Sequence, residues 1–251
     1  MYEFIKSIVI QGKQRWRTIW FPTINCFVDK NSIELSTGTY RVNVIIDWIT
    51  YPWIGPWFPE QSLFEVHLLD TDGYFYNKEV CIIPLAKIRE NQQFSSIEML
   101  QEQIQKDLLR AKNNPQRVIT FGTFDYFHPG HQAYLQWAKQ YGDMLITIVA
   151  RDETVFRIKW AYPDHNEEKR MKRLEEETYI TIVELWDSVN PWICLRKWKP
   201  NVIYLWYDQH SFDTWVRERC DKNNLDETVI LRWNSVHPEK RKSSLLKNQE
   251  L

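Results

Sequence analysis

The chain has 251 residues, 32 basic and 33 acidic side chains and a formal net charge of −1. That length allows one large domain or two small ones with cores of their own, and the balanced charge gives no footprint for nucleic acid or a membrane surface. Cys26, Cys81, Cys194 and Cys220 form no CxxC pair, and no apolar run approaches the ~20 residues of a membrane span, so zinc sites, disulfide frameworks and membrane helices are not indicated. The first residues read as a strand rather than a signal peptide, and the expected location is the cytoplasm.

In chain order, residues 7–10, 39–47, 63–69 and 79–83 are β-branched or alternating runs separated by turn residues, which predicts the strands of a small barrel or sandwich. Residues 95–112 predict one helix, with Ser96 placed to cap it and Ile97, Leu100, Ile104, Leu108 and Ala111 at helical spacing. Asn113-Asn114-Pro115 breaks it and divides the chain into domains 1–114 and 115–251. Beyond the break, strands at 117–121, 144–150, 180–185 and 202–205 alternate with helices at 132–141, 167–176, 191–198 and 211–222. Such alternation predicts right-handed βαβ units and a parallel sheet whose ligands bind outside the carboxyl ends of the strands. The expected fold is an α+β two-domain chain, a small β-barrel followed by an α/β, Rossmann-like parallel-sheet domain.

The most informative string is GTFDYFHPGH, residues 122–131, between the strand at 117–121 and the helix that follows. A glycine at a strand end lets backbone N–H groups approach a phosphate. His128 and His131 lie together at a helix N-terminus, where backbone donors and the macrodipole favour anions. The alternatives are a metal site or a structural pair, although no third His or Cys stands nearby to complete a metal site. Three later segments add phosphate-binding groups: Arg151 at the end of the second strand, Lys159 in the loop after it, and Ser243, Ser244 and Lys247, where the serines are placed to cap a last short helix. Singly, each of these cations also fits an ordinary solvated charge.

The string resembles the nucleotidyltransferases of the cytidylyltransferase-like superfamily. Together with IVARDETV, RIK, YDQHSF and the final serine pair, residues 117–247 resemble the archaeal-type FAD synthetases. That resemblance implies transfer of AMP from ATP onto the phosphate of FMN. It implies that Gly122, Thr123, Phe124 and Asp125 belong to the nucleotide loop, with the backbone of the first three cradling phosphates. It also implies that His128 and His131 stabilise charge on the moving phosphoryl group, that Lys159, Ser243 and Ser244 clamp the outer phosphates, and that Asp208 lies near the nucleoside.

In the first half, FPTIN (residues 21–25) resembles the PTxN motif of the riboflavin kinases, and FEVHLLD (64–70) resembles one of their strands. The resemblance, over about residues 8–112, implies that Thr23 and Asn25 hold Mg²⁺ on ATP and that Glu65, exposed at a barrel mouth, takes the proton from the ribityl hydroxyl. Hydroxyl and amide oxygens are hard ligands of the kind Mg²⁺ takes, and a carboxylate is an ordinary general base. Glu65 also fits a plain strand carboxylate facing water, and Pro-Thr-x-Asn a turn. The expected function is conversion of riboflavin to FMN and then FAD with ATP. Its partners are the small molecules riboflavin, FMN and ATP, without nucleic acid or membrane, and the oligomeric state is open. The alternatives are a FAD synthetase carrying a non-catalytic flavin-binding barrel, and a cytidylyltransferase for a phosphorylated alcohol.

Thirteen tryptophans accompany only seven glycines, and together these twenty residues come close to the ~7% share that glycine alone holds in an average chain. Trp16, Trp20, Trp160, Trp186 and Trp206 stand where the resembling families have glycine, and Asp47-Trp48 where Asp-Gly would close a hairpin. These positions are expected to be glycine in the native protein, through UGA codons read as tryptophan. The rival expectations are loops rebuilt around indoles, or a kinase half that only binds flavin.

Overall fold

The computed structural model describes residues 5–10, 23–29, 35–47, 49–67, 75–190, 192–225 and 228–233. The chain divides into two compact units, Met1–Pro115 and Gln116–Leu251. Trp16, Trp20, Trp48, Ser243, Ser244 and Lys247 lie outside the described residues, as does the side chain of Thr23.

The first unit contains β1 (Ile5–Ile10), β2 (Thr23–Phe27), β3 (Gly38–Ile46), β4 (Ile49–Phe58), β5 (Leu63–His67) and β6 (Glu79–Arg89). They close into an antiparallel barrel in the order β1-β2-β5-β4-β3-β6. Alternate residues such as Val9, Ile24, Cys26, Val42, Val44, Phe64 and Val66 fill the interior, where Trp57 stacks on Phe64 at 5.5 Å. β3 and β4 meet in a two-residue turn between Ile46 and Ile49, and Asp47 there takes the left-handed conformation (φ 50°) that such hairpins require.

β4 was not expected as a strand, because Pro52, Gly55 and Pro56 interrupt it. The ladder accommodates them: Pro52 pairs with Asn43 of β3, and the β4–β5 pairing passes over Gly55 and Pro56. Gly55 is also where two backbones touch, since a Cβ there would stand 2.3 Å from the Glu65 carbonyl oxygen. The helix α1 (Ile97–Asn113) is capped by the Ser96 hydroxyl and held to the barrel by two arginines. Arg89 pairs with the buried Asp107 at 2.8 Å, and Arg41 donates to the Ala111 carbonyl at 2.8 Å.

The second unit carries a fully parallel sheet in the order β11-β10-β7-β8-β9, from β7 (Arg117–Gly122), β8 (Met144–Val149), β9 (Ile182–Leu185), β10 (Val202–Leu205) and β11 (Val229–Arg232). Its helices are α2 (Pro129–Lys139), α3 (Asp152–Lys159), α4 (Glu167–Glu175), α5 (Ile193–Trp198) and α6 (His210–Lys222). The strand order reverses between β7 and β10, so the crevice at their carboxyl ends is the switch point at which such sheets bind ligands. Two expectations change here. Arg157, Ile158 and Lys159 belong to α3 rather than to a loop, and β11 is an additional strand. Among the described residues, no helix is long and apolar enough to cross a membrane.

The tryptophans divide. Trp160 ends α3 in the left-handed region (φ 56°) with its indole 80% exposed, the place where helices put glycine. Trp186 and Trp206 are not left-handed. Trp186 is buried against Phe121 and Phe212, and Trp206 packs on Tyr134 and Trp233. The backbone demand for glycine is therefore met at Trp160 and not at these two.

Candidate active sites

At the switch point, β7 ends in Gly122, where a Cβ would come within 2.6 Å of the Phe124 ring. Phe124 and Tyr126 follow with φ of 55° and 49°, a conformation that costs an L-residue roughly 1–2 kcal/mol and persists where surrounding contacts impose it. His128 then opens α2 as its N-cap, with Nδ1 accepting from the amides of Gly130 (3.0 Å) and His131 (3.3 Å). Pro129, lacking an N–H, fills the first helical position.

The two imidazoles stack at 3.9 Å and 22°. His131 lies between Phe124, Phe127 and Trp206, with ring centroids 5.3, 5.9 and 5.2 Å away. Its Nδ1 is buried without a hydrogen-bond partner. Burial first, then the neighbouring His128 and Lys159, push its pKa down to about 3, against a hydrogen bond with the Tyr126 backbone. The ring is neutral at pH 7 and keeps one buried nitrogen without a partner, at a helix N-terminus whose first amides are taken by His128.

The residues around the loop differ in kind from the expected phosphate ligands. Asp125, in the expected nucleotide loop, is buried and accepts from the amides of Asp164 (3.0 Å) and His165 (3.2 Å) and pairs with His165 Nδ1 (3.0 Å). It latches the segment after α3 onto the nucleotide loop. Arg151 spends its guanidinium internally, on Glu167 (2.6 Å) and the Trp186 carbonyl (2.7 Å). Lys159 is exposed on the last turn of α3, and its charge bears on His131. Thr123 offers backbone to the loop, and Asp208 is exposed in the turn after β10.

Sequence reasoning missed the residue that assembles these parts. Arg170 on α4 is 2% exposed and donates to four acceptors: the carbonyls of Thr123 (2.5 Å), Ala150 (2.7 Å) and His165 (2.9 Å) and the carboxylate of Asp152 (2.6 Å). One guanidinium thus ties together the nucleotide loop, the end of β8, the start of α3 and the loop before α4. A signal existed, since Arg170 and Leu174 share the buried stripe of α4, where an arginine is out of place unless paired. Gln209 makes a smaller tie, accepting from the Trp206 amide (2.9 Å) and donating to the Phe121 carbonyl (3.2 Å) across the β7–β10 crevice.

In the barrel, β2 and β5 pair so that Asn25 lies directly opposite Glu65, and Thr23 opposite His67. Ile24, Cys26, Phe64 and Val66 point into the core, so by alternation Asn25 and Glu65 share the outer face, with Cβ atoms about 4.5–5.5 Å apart. Glu65 is half-buried at the centre of β5, not exposed at a barrel mouth as expected. The amide and carboxylate oxygens are hard donors of the kind Mg²⁺ takes. Among the described residues, no group of three or more His, Cys, Asp or Glu side chains is placed to hold a metal ion.

The family model of the cytidylyltransferase-like proteins matches residues 119–249. The chain belongs to that family. This cytidylyltransferase-like half is preceded by one that matches the riboflavin kinase model over residues 2–114, so the chain joins a riboflavin kinase-like barrel to a nucleotidyltransferase domain. Among similar proteins, the FAD synthase of Ferroglobus placidus is 37% identical over 115 residues, 45% of this chain and 74% of that protein. The FAD synthase of Archaeoglobus fulgidus is 39% identical over 110 residues, 43% of this chain and 78% of that protein. A bifunctional riboflavin kinase/FMN adenylyltransferase of Bacillus subtilis is 37% identical over 117 residues, 43% of this chain and 37% of that protein.

Proposed function

We propose that the chain phosphorylates riboflavin to FMN in residues 1–114 and adenylylates FMN to FAD in residues 115–251, with ATP as donor in both steps. The observation that carries the second step is the stacked His128–His131 pair at the N-terminus of α2, with a buried nitrogen that has no partner.

In the adenylyl transfer, a phosphate oxygen of FMN attacks the α-phosphorus of ATP, and the bond to the β-phosphate oxygen breaks to release pyrophosphate. No residue need form a covalent intermediate. With two amides donating to Nδ1 of His128, the proton of its neutral ring sits on Nε2, the nitrogen that would donate to a phosphoryl oxygen. A polyphosphate bound against the histidine pair favours the protonated His131 ring and raises its pKa, so positive charge arrives where negative charge develops. The backbone of Gly122, Thr123 and Phe124 cradles the phosphates. Ser243, Ser244 and Lys247 hold the outer ones, Lys159 adds its charge beside the histidine pair, and Asp208 lies towards the nucleoside. Arg151 and Asp125 act at one remove, by fixing α4 and the 164–165 segment.

In the kinase half, Glu65 takes the proton from the ribityl 5′-hydroxyl as its oxygen attacks the γ-phosphorus and ADP departs. Thr23 and Asn25 would hold Mg²⁺, which neutralises phosphate charge when bound. We place the enzyme in the cytoplasm, with riboflavin, FMN and ATP as its partners and no nucleic acid or membrane among them.

Incubation with riboflavin, ATP and Mg²⁺, read by flavin chromatography, tests both steps, and FMN followed by FAD is the expected sequence. FAD formed from FMN but not from riboflavin would reduce the barrel to a binding module. A preference for CTP with no use of FMN would overturn the reading in favour of another phosphorylated alcohol as acceptor.

A further inference from the structure

The last turn of α3 and the segment after it carry an aromatic face that the chemistry above leaves unused. The rings of Phe156 and Tyr162 stack at 4.6 Å and 18°, and Trp160 meets Phe156 edge-on at 6.4 Å. Tyr162 is 52% exposed, yet it is tethered. Its hydroxyl donates to Glu153 at 3.0 Å, and two residues later the chain is latched by the bonds from Asp164 and His165 to Asp125. The stacked pair therefore sits on a segment fixed at one end to α3 and at the other to the nucleotide loop.

Charge lies beside it. Lys159 is three residues after Phe156 on α3, so the two share a helix face within about one 5.4 Å turn, and the same Lys159 bears on His131. Along α3 the aromatic ring thus precedes the cation by three residues, and the cation lies within electrostatic reach of His131. An acceptor that matches this order is a planar heteroaromatic ring joined by a short polar chain to a phosphate. Such a ring covers exposed aromatic surface at little conformational cost.

We propose that the Phe156–Tyr162 pair is the platform on which the isoalloxazine ring of FMN stacks, with Lys159 receiving the FMN phosphate between that platform and the histidines. This inference rests on the FMN adenylyltransferase reading. The platform does not need Trp160, which only flanks Phe156, so it stands equally with glycine at that position.

The test compares the full chain with Tyr162→Ala, Phe156→Ala and Tyr162→Trp, measuring KM for FMN and for ATP in FAD formation and the quenching of FMN fluorescence on binding. Either alanine variant is expected to raise the FMN KM about tenfold with the ATP KM unchanged. Tyr162→Trp, which keeps an aromatic face, is expected to recover most of that loss and to quench FMN. Denaturant unfolding of the same preparations reports whether the second unit is folded. An FMN KM within twofold of the parent in both alanine variants overturns the platform while leaving the adenylyltransferase reading intact. An equal rise in the ATP KM also overturns it, because the segment would then act on the whole site. No FAD from FMN in the parent chain overturns the reading beneath it.

Discussion

In the parallel-sheet unit, the nucleotide loop and histidine pair at the β7–β10 switch point are close neighbours along the chain, because one strand end, one turn and one helix start supply them. In the barrel, Asn25 and Glu65 come from strands that are not consecutive and meet only through the β2–β5 register. A switch-point site is written as a contiguous string, whereas a barrel-face site is written as two short strings whose relation only the topology reveals. The difference also sets how each site fails. A change in the first acts through a local turn, and a change in the second through the alignment of two strands.

The sharpest way to separate the halves is a crossed pair of variants. His131→Ala is expected to lower FAD formation from FMN by ~10²–10³-fold while riboflavin phosphorylation stays within twofold. Glu65→Gln should do the reverse, lowering phosphorylation by ~10²–10⁴-fold with FAD formation retained. Chromatography of the three flavins reads both, and loss of both activities in either variant would break the comparison.

Next in size, Arg170→Met should destabilise the second unit by about 2–3 kcal/mol, since it leaves the half-buried Asp152 carboxylate, the buried Ala150 carbonyl and two half-buried carbonyls without their shared donor. Denaturant unfolding would show this as a transition that moves for the sheet unit and stays for the barrel. Unfolding as a single cooperative step would show that the halves are not independent.

The pH dependence should also be lopsided. His131 has its pKa held down to about 3 from an ordinary 6.5, so between those values the unfolded chain takes a proton that the folded ring refuses. Its contribution to stability is complete above pH 6.5 and is lost as pH falls towards 3, on the order of 2 kcal/mol by pH 5. His131→Gln should flatten this slope in thermal melts recorded between pH 7 and 5. ATP, by favouring the protonated ring, should flatten it in the parent.

The smallest expected effect concerns Trp160. Its left-handed backbone and exposed indole predict that Trp160→Gly stabilises the chain by about 1 kcal/mol, visible as a rise in Tm. Trp186→Gly should destabilise it instead, because that indole fills the core between Phe121 and Phe212. Codons for the two positions would show whether UGA stands at one, both or neither.

Much of this was legible in residue order alone. The alternation after Gln116 announced the parallel sheet, the helix at 97–113 showed its cap and stripe, and the histidine string marked the site. β4 is hidden because Pro52 and Pro56 read as breakers, and only the neighbouring strands show how the ladder carries Pro52 and passes over Pro56. The loop assignment of Arg157 and Lys159 failed because α3 is short and mostly polar. The contacts of Asp125 and Arg151 stay hidden in residue order for one shared reason. A charged side chain near a phosphate loop looks like a ligand until its partners are seen, and here those partners are amides, a carbonyl and Glu167.

One consequence follows from the N-cap of α2. Enzymes commonly gain stability when a reactive side chain is removed, because active sites tolerate local strain for the sake of turnover. His128 is bound by a different rule, since the atom that fixes its proton also accepts from two amides of the first helical turn. Removing the ring sacrifices both at once, so selection acting on folding alone would guard this position even in a descendant that had abandoned the reaction.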